Sequence, residues 1–198
     1  MTTTIRTQTT AQLDNIDQQI KALKEQKRQI KNNSFSLTKR QSIDYVTKKL
    51  KPLNISLKQT KLNEFKLTNQ NGQITTVTIK RSKDWIANGS MASRKRYLCR
   101  SWTTFTKEEL FNNKANYLIV LIGSYEDLAS DNIQSLVIPM NDVKDLAYQD
   151  KRYNEKNNAY NFYFGVDLNG NAFENRLDQR NPQMLNIKPN DFSEIKFN

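Results

Sequence analysis

The chain has 198 residues, with 31 Lys and Arg against 20 Asp and Glu and a formal net charge of +11; that length allows one domain with a core plus an appendage, and that charge points to a polyanionic partner. There is no histidine and one cysteine, Cys99, which excludes Ser-His-Asp and Cys-His catalysis, His-ligated metal centres, zinc fingers and internal disulfides, and fits a reducing, cytoplasmic setting. The opening MTTTIRTQTT lacks the apolar stretch of a secretory signal, and the longest apolar run, Tyr117 to Ile122, is too short to span a bilayer, so neither export by such a signal nor membrane insertion is expected.

In chain order, residues 1–10 read as a polar, flexible arm. Leu13, Ile16, Ile20, Leu23, Lys27 and Ile30 then follow 3-4-3-4-3 spacing, the a/d seam of a helix with polar outer faces. This coiled-coil-like helix either joins two copies into a homodimer or docks on its own domain. Residues 1–33 therefore form an appendage, ended by Asn32-Asn33-Ser34. Ser36 or Thr38 caps a second helix running to Leu50, with Ile43, Val46 and Leu50 on one face and Pro52 as its stop. Strands follow at 55–57, 62–68 and 73–81, the last two joined through Asn69-Gln70-Asn71-Gly72.

Residues 82–104 look irregular, and Thr106 with Lys107-Glu108-Glu109 opens a short helix. Tyr117 to Ile122 (YLIVLI) reads as a strand buried on both faces, the centre of the sheet. LVIP at 136–139 is another strand, 141–148 a helix, and 160–166 with 172–177 a hairpin about Asn169-Gly170. The domain is thus 34–180, of α/β (α+β) class with a central mixed sheet flanked by helices, and 181–198 is an extended tail. Cys99 is expected in the core.

Charge is unevenly placed. Residues 1–107 hold 22 basic and 6 acidic side chains, whereas 108–198 hold 9 and 14. A phosphate backbone would meet the first half; the plain alternative is solubilising lysine. Within it, Lys83, Trp85, Arg94, Lys95, Arg96, Tyr97, Arg100 and Trp102 interleave cations with aromatic rings. Arg and Lys suit phosphates while aromatic rings suit bases, which makes this a candidate DNA-contacting segment; the alternative is a long loop whose aromatic rings pack on the core. Lys48, Lys49, Lys51, Lys58 and Lys61 extend it.

Strand alternation places Glu64 on one face of its strand and Thr76, Thr78 and Lys80 on the matching face of the next, so Glu64 and Lys80 are expected to meet across the hairpin. A carboxylate that can hold magnesium beside a lysine that can orient water is a plausible phosphodiester-cleaving pair. An ordinary cross-strand ion pair has the same signature.

The order helix (38–50), strand with an acid (62–67), turn, strand ending V-T-I-K-R-S (77–82), basic linker, apolar strand (117–122), L-V-I-P (136–139) and helix resembles the PD-(D/E)XK nuclease superfamily over residues 38–148. The resemblance implies a restriction-endonuclease-like core. It puts Glu64 at the metal-binding acid and Lys80 at the catalytic lysine, with Thr78 where a second acid or Gln belongs; Asp44 would be a helix acid. The expectation is a magnesium-dependent endonuclease of restriction or homing type acting on double-stranded DNA as a homodimer. The alternatives are a catalytically silent DNA-binding protein on this scaffold, serving phage or plasmid DNA metabolism or regulation, and a basic inhibitor or interaction module that meets an acidic protein.

Overall fold

The structure, a computed structural model, describes residues 16, 18–23, 37–86, 95–149, 153–175 and 182–197. Met1–Phe35 and Ser36–Asn198 are separate compact units. In the first, residues 16 and 18–23 are helical, with Ile16, Ile20 and Leu23 exposed. Leu13, Lys27 and Ile30 of the expected seam lie outside the described residues.

The second unit begins with α1 (Lys39–Leu50). Thr38 caps it reciprocally with Gln41: each backbone N–H donates to the other's side chain, at 2.8 and 3.3 Å, so two otherwise orphaned donors are satisfied. Its Tyr45, Val46 and Leu50 are buried, and Pro52 follows within a 3₁₀ turn where the helix stops. Strands β1 (Ser56–Gln59), β2 (Glu64–Thr68) and β3 (Ile74–Ser82) form an antiparallel meander. At the β2–β3 turn, the Asn69 side chain accepts from the Asn71 and Gln73 backbones, and Gly72 takes φ +77°, a region that costs glycine little.

Strand β6 (Tyr117–Ile122) runs parallel to β3, and β7 (Gln134–Pro139) runs antiparallel to β6, giving a mixed sheet ordered β1-β2-β3-β6-β7. The apolar run is therefore buried on both faces as expected, but β3 is the middle strand. Between β6 and β7 sits α3 (Tyr125–Ala129), and α4 (Met140–Gln149) follows β7.

Two further sheets complete the layers. One is ordered β12-β11-β10-β4, from Gln183–Met184, Ala172–Glu174, Phe164–Asp167 and Tyr97–Arg100. The other is β5-β9-β8, from Thr103–Thr106, Ala159–Phe162 and Tyr153–Asn154. Helix α2 (Lys107–Phe111) begins at Thr106, whose hydroxyl accepts the Glu109 N–H.

The segment expected to be irregular, 82–104, thus contains β4 and the start of β5. Tyr97 and Cys99 point inward while Leu98 is exposed, and Thr103 and Phe105 are buried while Thr104 is exposed. The period of two is present, beneath a dense run of charge. Conversely, the expected strand 160–166 breaks at Tyr163, whose N–H donates to the Glu174 side chain, and its halves enter different sheets. Cys99 is buried as expected, and burial pushes its thiol up to about 12.

The main sheet separates two cores. On one face Phe65, Leu67, Val77, Ile119 and Leu121 pack with Tyr45, Val46 and Leu50 of α1. On the other, Leu118, Val120, Leu136 and Ile138 pack with Val143 and Leu146 of α4 and with Phe105, Phe162 and Phe164. The expected tail belongs to the first core, because Phe192 and Ile195 are buried in it. Asn190 anchors it by donating to the Ser135 carbonyl at 2.8 Å and accepting from the Ser135 N–H at 2.8 Å. Phe192→Ala should cost about 3–5 kcal/mol, as for a buried ring, in denaturant-induced unfolding; a loss below about 1 kcal/mol would mean that the segment only rests on the surface.

Candidate nucleic-acid interface

The β2–β3 register pairs Glu64 with Thr78, so Glu64, Thr78 and Lys80 share a face as the alternation requires. Glu64 and Lys80 are not partners, however. Lys80 lies beyond the first residue of β2, and its ammonium turns towards α2. Nζ donates to Glu109 Oε1 at 2.6 Å and to the Thr104 carbonyl at 3.1 Å, and sits 4.4 Å from the centre of the Phe105 ring. Glu64 is instead matched by Lys61 at 3.5 Å. Long-range packing of α2 thereby overrides the cross-strand pair, because it brings Glu109 into a short charge-assisted bond with an ammonium that is largely covered.

Lys61, Glu64, Thr78, Glu108, Glu109 and Asn113 line a cleft of about 460 Å³. Thr78 is 2 % exposed, and its hydroxyl accepts from Asn113 Nδ2 at 3.0 Å. Asn113 also accepts the Ala115 N–H, and its carbonyl accepts from Lys144 Nζ at 2.9 Å. Thr78 is therefore a structural contact between β3 and the loop before β6. Asp44 pairs with Arg40 at 3.9 Å, 70 % exposed on α1, and does not line the cleft.

A hard divalent cation such as magnesium prefers several free oxygen donors. Here Glu109 is held by Lys80, Glu64 faces Lys61 and the Thr78 hydroxyl is engaged by Asn113. Among the described residues no group of three or more His, Cys, Asp or Glu side chains comes together to hold a metal ion. Glu64 and Glu109 are thus matched to the protein's own cations, and Glu108 is a further carboxylate on the cleft lining.

The expected nucleic-acid residues gather elsewhere. Lys95 and Arg96 are exposed at the turn entering β4, an edge strand of its sheet, and Arg100 is half-buried at the strand's end. Trp102 follows, 43 % exposed. Lys83 lies with its ammonium 4.2 Å from the centre of the Trp85 ring, and the Arg100 guanidinium lies 5.8 Å from the Tyr163 ring centre. Arg94 is outside the described residues. Of the outlying lysines, Lys48 and Lys49 face Asp131 at 3.6 and 3.9 Å.

The end of β3 is laced to the end of β4. Ser82 Oγ accepts the Trp102 N–H at 2.9 Å, the Trp85 N–H donates to the Arg100 carbonyl at 2.9 Å, and the Asp84 carboxylate accepts the Ile86 and Arg100 N–H groups at 2.8 and 3.1 Å. Burial pushes the Asp84 carboxyl up, against those two donors, which hold it down. These bonds bring both tryptophans together with Tyr163.

Glu109, Asn113, Asp84 and Tyr163 were not among the expected site residues. Glu109 had a signal, as an acid in the first turn of a capped helix, but nothing local directs it to Lys80. Tyr163 had none.

No protein-family model, curated protein or solved structure matches the chain.

A double-mutant cycle of Lys80→Met and Glu109→Gln should give a coupling of about 1–3 kcal/mol, the scale of a covered charged hydrogen bond. Glu64→Gln alone should stay within about 0.5 kcal/mol of wild type, as for an exposed pair. Equal effects at both acids, read by thermal unfolding, would contradict the pairing described.

Proposed function

We propose that this protein binds nucleic acid through the surface built on β4 and the end of β3, without hydrolysing it. The observation that supports this best is the set of cations about β4, with Lys95 and Arg96 in the turn before it, Arg100 at its end against the Tyr163 ring, and Lys83 just after β3 against the Trp85 ring. Phosphates would be met by the cations, and the long-range pull would come from a chain whose formal charge is +11. The resemblance to the PD-(D/E)XK superfamily agrees with a nucleic-acid partner, and Thr78 in place of an acid agrees with silent chemistry. The protein would act in the cytoplasm, where a lone thiol stays reduced. Among the described residues no helix is long and apolar enough to cross a membrane.

Mixed-sequence DNA incubated with the protein, with magnesium and separately with EDTA, should be retarded on a gel and remain intact in both. Lys95→Ala with Arg96→Ala should flatten the slope of log affinity against log salt by about 2, roughly 0.9 per lost phosphate contact. A slope that does not change would remove these residues from the interface. Affinity insensitive to salt would favour an acidic protein partner instead.

Metal-dependent endonuclease activity is the second reading, favoured by one observation: Glu64 and Glu109 open onto one cleft, and Lys80 is bonded to the latter. Discrete DNA fragments formed with magnesium and absent with EDTA would establish it. A homodimer through the N-terminal helix belongs to either reading, as Ile16, Ile20 and Leu23 leave an apolar edge exposed. Replacing Leu13, Ile16 and Ile20 with polar residues should halve the sedimentation mass; an unchanged mass would remove the dimer.

A further inference from the structure

Trp85 and Trp102 are the chain's two tryptophans, and both stand at the same place on the surface. Trp102 belongs to none of the buried clusters and leaves 43 % of its surface exposed. Its ring is nonetheless fixed. Nε1–H donates to Asn161 Oδ1 at 3.0 Å while the backbone N–H donates to Ser82 Oγ at 2.9 Å. Asn161 is itself buried and also accepts the Thr104 hydroxyl at 3.1 Å, so its carbonyl is oriented before Trp102 arrives. Tyr163 stacks on Trp102 with centroids 6.1 Å apart and planes 25° apart, and Trp85 meets it edge-on at 5.2 Å and 61°. Lys83 and Arg100 lie against the outer two rings.

An exposed indole that is locked in one orientation and flanked by cations suits a ligand carrying a flat π-face and negative charge in the same unit. A nucleotide is such a unit. In a duplex each base is stacked above and below and presents only its edges in the grooves, so a fixed ring face has nothing to stack on there. An unpaired base has a free face, and stacking on aromatic side chains tolerates any base because each has one.

We propose that the Trp102 face, bordered by Trp85 and Tyr163, takes an unpaired base of single-stranded nucleic acid, with Lys83 and Arg100 against the adjoining phosphates. This rests on the nucleic-acid reading and narrows it to single strands at this position. The locked ring costs little conformational freedom on binding, which is the advantage of a platform already in place.

The test uses the full chain and three probes of equal length: an oligothymidine strand, a strand with the same phosphates but abasic sugars, and a duplex. Because both tryptophans lie in the patch, intrinsic fluorescence reports on it directly. The thymidine strand should quench the emission and bind about tenfold or more tightly than the abasic strand, in keeping with one or two stacked bases. Trp102→Ala should abolish that difference, and Trp102→Phe, which keeps a flat ring, should retain part of it. Equal affinities for the thymidine and abasic strands with unchanged emission would overturn the proposal and leave the nucleic-acid reading intact. Tighter binding of the duplex without quenching would do the same. Failure to bind any of the three would overturn both. The comparison of strands on the wild-type chain decides the matter even if Trp102→Ala does not fold.

Discussion

The parallel pairing of β3 with β6 is the constraint from which the rest of the domain follows. Its register runs from Val77 opposite Tyr117 to Ser82 opposite Ile122. Parallel neighbours cannot be joined by a tight turn, so the chain must leave one end of the sheet and return to the other. Residues 83–116 make that return, and β4, β5 and α2 lie in it with Lys83, Arg100, Trp102 and Glu109. The crossover is fastened at both ends. Asn116 Oδ1 accepts from the Thr75 and Thr76 hydroxyls and Asn113 binds Thr78 at its end, while Ser82 and Asp84 hold its beginning. The threonines that make β3 look like an ordinary strand-forming sequence are thus the anchors of the loop before β6.

Burial on both faces gives β6 its place. Leu118 and Val120 enter one core, and Ile119 and Leu121 enter the other, so successive residues of the strand alternate between the two layers. The same geometry explains the fate of Lys80. It lies on the face whose core includes Phe105, and an ammonium drawn over that ring requires a partner; α2 brings Glu109 to supply it. Sheet and helix α2 therefore gather Glu64, Glu108 and Glu109 about one cleft while committing Glu64 to Lys61 and Glu109 to Lys80.

Much of the architecture was legible because it depends on local chemistry. The Thr38 cap, the Asn-Gly turn at 71–72 and the doubly buried run 117–122 each follow from residues within a few positions of one another, and the mixed sheet follows from their order. The strand 97–100 had its alternation in view, yet charge obscured it. The pairing of Lys80 with Glu109 was not legible, since it depends on where a crossover lands and not on the strand that bears the lysine. The same holds for Tyr163 beside Trp102 and for Phe192, which reads as part of an extended tail and is buried in the core with α1. The cations and both tryptophans of the candidate interface could be named from the sequence; Tyr163 needed the fold.

The most direct test of the account is amide-shift mapping by NMR on the isotope-labelled 23.2 kDa chain as nucleic acid is added. The account predicts that the largest shifts fall on residues 83–86 and 95–104 and on Tyr163, with little change around the α1 lysines. Shifts centred on Lys48, Lys49 and Lys58, with the crossover unmoved, would contradict it.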